Sequence, residues 1–157
     1  MVDVVIDTNV LKHASNPQEP LCSAARDFAN KILRSKTKIC VDQGFDIVSE
    51  RNRSLIGHEY LTHVTFGSFA YAFLLQLIAE KRVSIHSKNV GSRAMKIIVQ
   101  RVRKPADRVF LRVTVNSQGN VLVSHDFEDF AQPKRDVFRK ELKIAIVTAV
   151  EALILMN

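Results

Sequence analysis

The sequence predicts an α/β fold, a three-layer α/β/α sandwich around a central parallel sheet of four or five strands. Three observations lead to this prediction. Short β-branched runs recur along the chain, segments with apolar residues at helical spacing lie between them, and several of the runs end in an acidic residue. The 157 residues contain no repeat, no low-complexity tract and no Pro/Gly/Ser linker, so a single domain over 1–157 is expected.

The first part of the chain predicts two strands and a helix. Residues 2–6 form a short β-branched run followed by Asp7-Thr8-Asn9, which predicts a buried strand with polar groups at its carboxyl end. Residues 23–33 carry apolar side chains at helical spacing, and residues 38–42 predict a second strand that again ends in an acid. Strand and helix units in this order are typical of a parallel sheet.

The middle of the chain is expected to be mainly helical. Residues 46–55 and 66–80 are predicted as helices, the second with small and aromatic residues mixed as in a well-packed helix. Residues 83–86 predict a short extended segment, and residues 96–102 are weakly amphipathic.

The segment 105–115 supports two interpretations. Pro105 followed by Asp107 resembles the start of a helix, whereas Val109, Val113 and the other bulky residues of the segment favour a strand. Both interpretations stay open at this point, and the position of the Asp107 carboxylate depends on which is correct.

The last part of the chain continues the alternation of predicted strands and helices. Residues 121–123 predict a buried strand that ends in Ser124-His125-Asp126. Residues 142–147 predict a further strand, and residues 149–155 predict a final helix. Four or five parallel strands with helices on both faces therefore account for the whole pattern.

The net charge of +7 is concentrated in one segment. Between Lys81 and Arg112 there are ten basic residues and one acidic residue, Asp107. Such a segment is expected either of a nucleic-acid contact or of a solvated helix face, and the charge count fits both. The candidate RNA contacts are the basic residues around Asp107 in the sequence: Arg101, Arg103, Lys104, Arg108 and Arg112.

The cysteines and the apolar segments predict a cytoplasmic protein with no membrane partner. Cys22 and Cys40 are too few for a disulfide framework and suit buried thiols in a reducing compartment. The N-terminus lacks the basic region of a secretory signal, and the apolar stretches are shorter than a membrane span.

Two acids follow predicted strands at comparable places. Asp7 follows residues 4–6, and Asp126 follows residues 121–123 after two polar residues. In open parallel sheets, functional groups gather at the carboxyl ends of the strands, and carboxylates that share a low-dielectric edge stay ionised together only if a cation neutralises them. An oxygen-only cluster suits Mg²⁺ or Mn²⁺, although each acid alone also fits a helix N-cap or a turn.

Four segments resemble the PIN domain, a family of metal-dependent ribonucleases. The first is residues 4–11 (VVIDTNVL) and the last is residues 121–130 (VLVSHDFEDF). Between them, residues 47–50 (IVSE) and 105–111 (PADRVFL) resemble the helices that supply the second and third acids of the family. The resemblance spans nearly the whole chain in the right order, implies a three-layer α/β/α fold, and favours a helix at 105–115.

The resemblance implies a set of site residues. The catalytic and metal-binding acids are expected to be Asp7, Glu50, Asp107 and Asp126, holding Mg²⁺ or Mn²⁺, with Asp129 as an outer acid. Thr8, Asn9 and Ser124 are expected to orient carboxylates or water through hydrogen bonds. Three nearby acids compete with Glu50 for the second position: Asp42, Asp46 and Glu59.

The resulting hypothesis is an endoribonuclease that hydrolyses RNA phosphodiester bonds with a metal-activated water. Many small members of the family are toxins of toxin-antitoxin pairs, so the resemblance extends to an antitoxin as partner. A symmetric homodimer, the commonest assembly of such chains, is also considered. The alternative hypothesis is a non-catalytic RNA-binding or assembly module with the same fold.

Two rival motifs fit less well. The sequence Asp7-Thr8-Asn9 also resembles the start of an aspartate phosphatase motif, but Asn9 stands where the second acid is required. His58 and His63 are five residues apart, so on a helix their rings point in different directions and cannot share one zinc ion.

Overall fold

The computed structural model describes residues 1–157 and contains one parallel sheet of five strands. The strands are β1 (Asp3–Ile6), β2 (Lys38–Asp42), β3 (Val83–His86), β4 (Val121–Val123) and β5 (Ala145–Val147). Their order in the sheet is β3-β2-β1-β4-β5, and all four neighbouring pairs are parallel. The predicted parallel sheet is therefore confirmed.

Eight helices flank the sheet and complete the predicted three-layer α/β/α sandwich. They are α1 (Thr8–Ser15), α2 (Cys22–Leu33), α3 (Leu55–His63), α4 (Phe69–Ala79), α5 (Ser92–Arg101), α6 (Pro105–Asn116), α7 (Gln132–Leu142) and α8 (Ala149–Leu155). Helix α6 packs against β1, β2 and β4, whereas α2 packs against α1, α4 and α8. A core of 36 buried apolar residues fills the space between the layers.

The strand order reverses at β1. The chain runs from β1 to β2 and β3 on one side and then crosses to β4 and β5 on the other. The register pairs Val5 with Leu122 and Ile6 with Val123, so β1 and β4 end at the same level. Such a reversal leaves a crevice at the carboxyl ends of the two central strands, which is where α/β proteins bind their ligands.

The two open interpretations of 105–115 are resolved in favour of a helix. Pro105 occupies the first turn of α6. N–H groups in this turn have no partner within the helix, so the missing N–H group of proline costs no hydrogen bond, and its fixed φ suits the helix. Val109, Phe110 and Val113 are buried against the sheet. The bulky residues that favoured a strand therefore form the core-facing side of a helix.

The helix predicted at 46–55 is wrong. Residues 43–54 form turns, in which Asp46 Oδ1 accepts a hydrogen bond from the Val48 N–H group and Asn52 Oδ1 accepts one from the Asp46 N–H group. Short polar side chains of this kind satisfy backbone groups outside a helix and so favour a turn. The helix starts only at Leu55, where the Ser54 hydroxyl accepts a hydrogen bond from the Gly57 N–H group.

Other differences lie at element boundaries. The strand predicted at 142–147 is shorter, since Leu142 ends α7 and β5 begins at Ala145. Lys143 between them has a φ of 59°, a left-handed conformation that terminates the helix. Helices α1, α3 and α7 had no counterpart among the predicted elements. No helix is both long and apolar enough to cross a membrane.

Candidate metal centre

The Asp7 carboxylate lies at the crevice between β1 and β4. Asp7 directly follows β1, and its N–H group donates a hydrogen bond to the Val123 carbonyl at 2.9 Å, which extends the pairing of the two strands. The residue is only 4% exposed. The strand ends therefore hold this carboxylate inside the edge of the sheet rather than in solvent.

Two neighbours orient the Asp7 carboxylate. Its Oδ2 atom accepts hydrogen bonds from Ser124 Oγ at 2.6 Å and from Asn9 Nδ2 at 2.9 Å. Asn9 in turn accepts a hydrogen bond from the His125 N–H group at 2.9 Å, so it ties the start of α1 to the loop after β4. Burial raises the pKa of Asp7, while the hydrogen bond from Ser124 lowers it. The predicted orienting role of Asn9 and Ser124 fits these contacts.

Three further acids form a group that we call the acidic cluster: Asp107, Asp126 and Asp129. Each has a carboxylate oxygen within 4.8 Å of the others. Asp107 lies in the first turn of α6, and the other two lie in the loop after β4. The Asp126 Oδ1 atom accepts hydrogen bonds from the N–H groups of Glu128 and Asp129, which folds the loop into a turn and brings Asp129 back toward α6.

Two oxygens of the acidic cluster lack a hydrogen-bond partner. They are Asp107 Oδ2 and Asp129 Oδ2, and both are buried. Burial, followed by the charge of Asp7 and a contact with Asp129, raises the pKa of Asp107 to about 7. Buried carboxylate oxygens without a hydrogen-bond partner are costly unless a cation or a proton compensates them.

The Lys104 ammonium group lies across the acidic cluster. Its Nζ atom is 3.1 Å from Asp126 Oδ2, 3.6 Å from Asp129 Oδ2 and 3.8 Å from Asp107 Oδ2. The hydrogen bond to Asp126 raises the pKa of Lys104 despite some burial. Its side chain is 60% exposed, so it reaches the acidic cluster from the solvent side.

The donor atoms of the acidic cluster fit Mg²⁺ or Mn²⁺. All are carboxylate oxygens, the ligands that hard divalent cations prefer, and no thiol or imidazole is among them. The two oxygens without a hydrogen-bond partner face the Lys104 ammonium group, which a bound cation would displace. Asp7 adds to the negative charge of the site, since its charge raises the pKa of Asp107.

Glu50 is not part of the acidic cluster. The residue is exposed in the turn before α3, and its carbonyl group accepts a hydrogen bond from Arg53. The prediction placed Glu50 on a helix, and without that helix the basis for choosing it as the second acid is lost.

Two of the three competing acids are already engaged elsewhere. Asp42 is fully buried and accepts hydrogen bonds from the Ser54 hydroxyl and from the N–H groups of Leu55 and Ile56, so it stabilises the start of α3. Asp46 forms an ion pair with Arg51 at 2.9 Å on the surface. Both acids therefore have structural partners that account for them.

Glu59 is the competing acid that lies beside helix α6. It lies on α3 and shares a shallow cleft with Pro105 and Ala106, in the turn of α6 that carries Asp107. Its carboxylate is 3.6 Å from His63 Nε2. The signal for this helix was present in the sequence, because Ser54 is a good N-cap and Ile56, Tyr60 and Val64 recur at helical spacing.

The predicted RNA contacts divide into two groups. Arg108 and Arg112 donate hydrogen bonds to the backbone carbonyls of Val102 and Lys88, so they hold loops in place. Arg103 and Lys104 are exposed and line a cleft beside the acidic cluster. Lys134 of α7 lines the same cleft and lay outside the basic segment of the sequence. Arg101 ends α5 and is half-buried.

Two other residues of this edge have distinct roles. Thr8 begins α1, and its buried hydroxyl oxygen has no hydrogen-bond partner. His125 stacks on His13 with ring centroids 5.1 Å apart, and its Nε2 atom accepts a hydrogen bond from the Ala149 N–H group. Burial lowers the pKa of His125 to about 4. His125 is therefore a neutral packing residue next to Asp126.

No protein-family model matches this chain, and no curated protein sequence matches it either.

Proposed function

We propose that this chain is a Mg²⁺- or Mn²⁺-dependent endoribonuclease of the PIN-domain type. The observation that carries the proposal is the acidic cluster, which lies beside Asp7, the acid at the point where the strand order reverses, and includes two buried oxygens without a hydrogen-bond partner. The acids Asp7, Asp107 and Asp126 also occur in the order and in the elements that the resemblance implies.

The residues around the site have separable tasks. A bound divalent cation would lower the pKa of a coordinated water and offset the charge on the phosphoryl oxygens. Asp107, Asp126 and Asp129 would hold the cation, while Ser124 and Asn9 keep the Asp7 carboxylate in a single orientation. No residue of the chain needs to act as a covalent nucleophile.

A polyanionic substrate also needs positive charge close to the acids. Arg103, Lys104 and Lys134 supply it, since they surround the cleft that contains Asp129. Lys104 has a particular position, because its ammonium group already bridges the three carboxylates. A phosphate that enters the site would meet this group first. The antitoxin partner and the homodimer stay predictions.

The proposal is tested with a labelled single-stranded RNA that is incubated with the purified chain and Mn²⁺, Mg²⁺ or EDTA. We expect cleavage with either metal and none with EDTA. Asp126→Asn should reduce the rate by at least about 100-fold, because it removes a charged ligand and a candidate proton acceptor.

The matched control is Asp27→Asn, which changes an exposed acid on α2. It should cleave at the wild-type rate, and circular dichroism should show both variants folded. Equal cleavage by wild type and Asp126→Asn would contradict the proposal. RNA binding without metal-dependent cleavage would instead favour the non-catalytic RNA-binding module.

A further inference from the structure

A second group of metal-ligating side chains lies on the other half of the sheet. It consists of Asp3, Cys40 and His86, which we call the strand triad, and each supplies a ligand atom within 4.8 Å of the others. Asp3 begins β1, Cys40 lies in the middle of β2 and His86 ends β3, so three adjacent strands contribute one residue each. Asp3 and Cys40 are buried, and the His86 side chain is 15% exposed.

The register of the strands brings these three side chains to one face. Asp3 pairs with Lys38 and Cys40 pairs with Ser84. Side chains two residues apart point to the same face of a sheet, so Cys40 shares the face of Asp3 and His86 shares the face of Ser84.

The separation of the Asp3 and His86 atoms fits a shared metal ion. The His86 Nε2 atom is 3.5 Å from the Asp3 Oδ2 atom, which is longer than an ordinary N–H···O hydrogen bond. Nitrogen and oxygen ligands at the usual zinc distances, with tetrahedral angles between them, are about 3.4 Å apart. The two atoms therefore already have the spacing of two ligands of one zinc ion.

The surroundings of the strand triad resemble the outer shell of a metal site. The Asp3 carboxylate is oriented by the N–H groups of Gly119 at 2.6 Å and Gln118 at 3.3 Å. Outer hydrogen bonds of this kind fix the direction of ligating carboxylates in metal proteins. The Ser84 hydroxyl is hydrogen-bonded to His86 Nε2 at 3.0 Å, a bond that zinc would replace, and a water could fill the fourth position.

We propose that Asp3, Cys40 and His86 bind a structural Zn²⁺ ion. A thiolate, an imidazole and a carboxylate are the donors that zinc prefers, whereas Mg²⁺ and Mn²⁺ prefer the oxygen-only acidic cluster. The two sites are separate, since Asp3 and Asp7 are four residues apart, about 13 Å along an extended strand. Zinc binding releases the Cys40 thiol proton to solvent and joins β1, β2 and β3 to the turn at Gln118 and Gly119.

Cobalt substitution tests this site independently of any ribonuclease activity. The EDTA-treated chain is titrated with Co²⁺ under reducing conditions, and we expect one equivalent to give the visible absorption of tetrahedral Co²⁺ together with a thiolate-to-cobalt charge-transfer band. Zn²⁺ should displace the cobalt and raise the melting temperature. Cys40→Ser should remove the charge-transfer band, and His86→Gln should weaken Co²⁺ binding at least tenfold.

Two variants serve as controls. Cys22→Ser changes the other buried thiol, and Asp126→Asn changes the acidic cluster, so both should keep the charge-transfer band. Circular dichroism of each variant shows whether it is folded, and His86→Gln tests the site at a partly exposed position if Cys40→Ser does not fold. The proposal is overturned if the folded wild type gives no charge-transfer band, if the band survives Cys40→Ser, or if His86→Gln binds Co²⁺ as tightly as wild type.

Discussion

The Lys104 ammonium group lies 3.1 Å from the Asp126 carboxylate and no more than 3.8 Å from those of Asp107 and Asp129. A lysine in this position neutralises part of the charge that a divalent cation would neutralise. It is therefore a competitor for metal as well as a candidate contact for phosphate.

Replacing Lys104 with Met should increase the affinity for Mn²⁺. The ammonium group is largely exposed, so the competition is worth about 1 kcal/mol, which corresponds to roughly fivefold tighter binding. Isothermal titration calorimetry at low salt measures the effect. Arg139→Met, at an exposed basic position on α7, is the control and should bind Mn²⁺ as wild type does. Weaker Mn²⁺ binding by Lys104→Met would contradict the competition.

Glu59 should matter more for metal-dependent cleavage than Glu50. Glu59 faces the turn of α6 that carries Asp107, whereas Glu50 is exposed in the preceding turn. We expect Glu59→Gln to lower the cleavage rate at least about tenfold and Glu50→Gln to leave it unchanged. Initial rates with labelled RNA and Mn²⁺ compare the two variants. The opposite order of rates would restore Glu50 as the second acid.

Arg103 and Arg112 should respond differently to substitution. Arg103→Gln removes an exposed charge beside the acidic cluster, so it should lower the slope of log affinity against log salt by about 0.7 for single-stranded RNA. Arg112→Gln removes the hydrogen bond to the Lys88 carbonyl and should instead lower the free energy of unfolding by about 1 kcal/mol. Fluorescence anisotropy over a salt series and urea denaturation separate these effects. An unchanged salt slope for Arg103→Gln would make that residue part of a solvated surface.

The contribution of His125 to stability should fall as the pH is lowered from about 6.5 toward 4, whereas Asp107, whose pKa is raised to about 7, contributes in the opposite direction. The pKa of His125 is about 4 in the folded chain because the ring is buried, whereas an unfolded histidine has a pKa near 6.5. The unfolded histidine therefore binds more protons in this range, so this residue lowers the free energy of unfolding as the pH falls. The contribution of this group between pH 6.5 and pH 5 is on the order of 1 kcal/mol.

Urea denaturation at several pH values measures this dependence. His125→Gln should gain stability relative to wild type as the pH falls from 6.5 to 5, while His58→Gln, at an exposed position of α3, should keep the wild-type profile. A wild-type profile for His125→Gln would show that another group causes the acid sensitivity.

Much of the fold was predictable because its strands are short apolar runs with unambiguous ends. Residues 3–6, 39–42 and 121–123 are buried on both faces of the sheet, and each strand lies within or at the range predicted for it. The helix at 105–115 could not be decided from propensity, because burial against the sheet selects the same bulky residues in a helix as in a strand.

The candidate site was predictable only where an acid lies within three residues of the end of a predictable strand. Asp7 and Asp126 are of this kind, and the structure brings Asp107 and Asp129 close to them. The position of Glu50 was not predictable, because Asp46 and Asn52 form turns and the helix begins only at Leu55, after Glu50. Lys134 could not be found from charge clustering, since α7 approaches the site from a distant part of the chain.

The central claim is that the acidic cluster holds the divalent cation. Crystals of the chain soaked in Mn²⁺ and measured at the manganese absorption edge test this claim directly. We expect an anomalous difference peak between the carboxylates of Asp107, Asp126 and Asp129, with the Lys104 ammonium group displaced from its position near Asp126. An empty acidic cluster at saturating Mn²⁺, with Lys104 still bound to Asp126, would contradict the account.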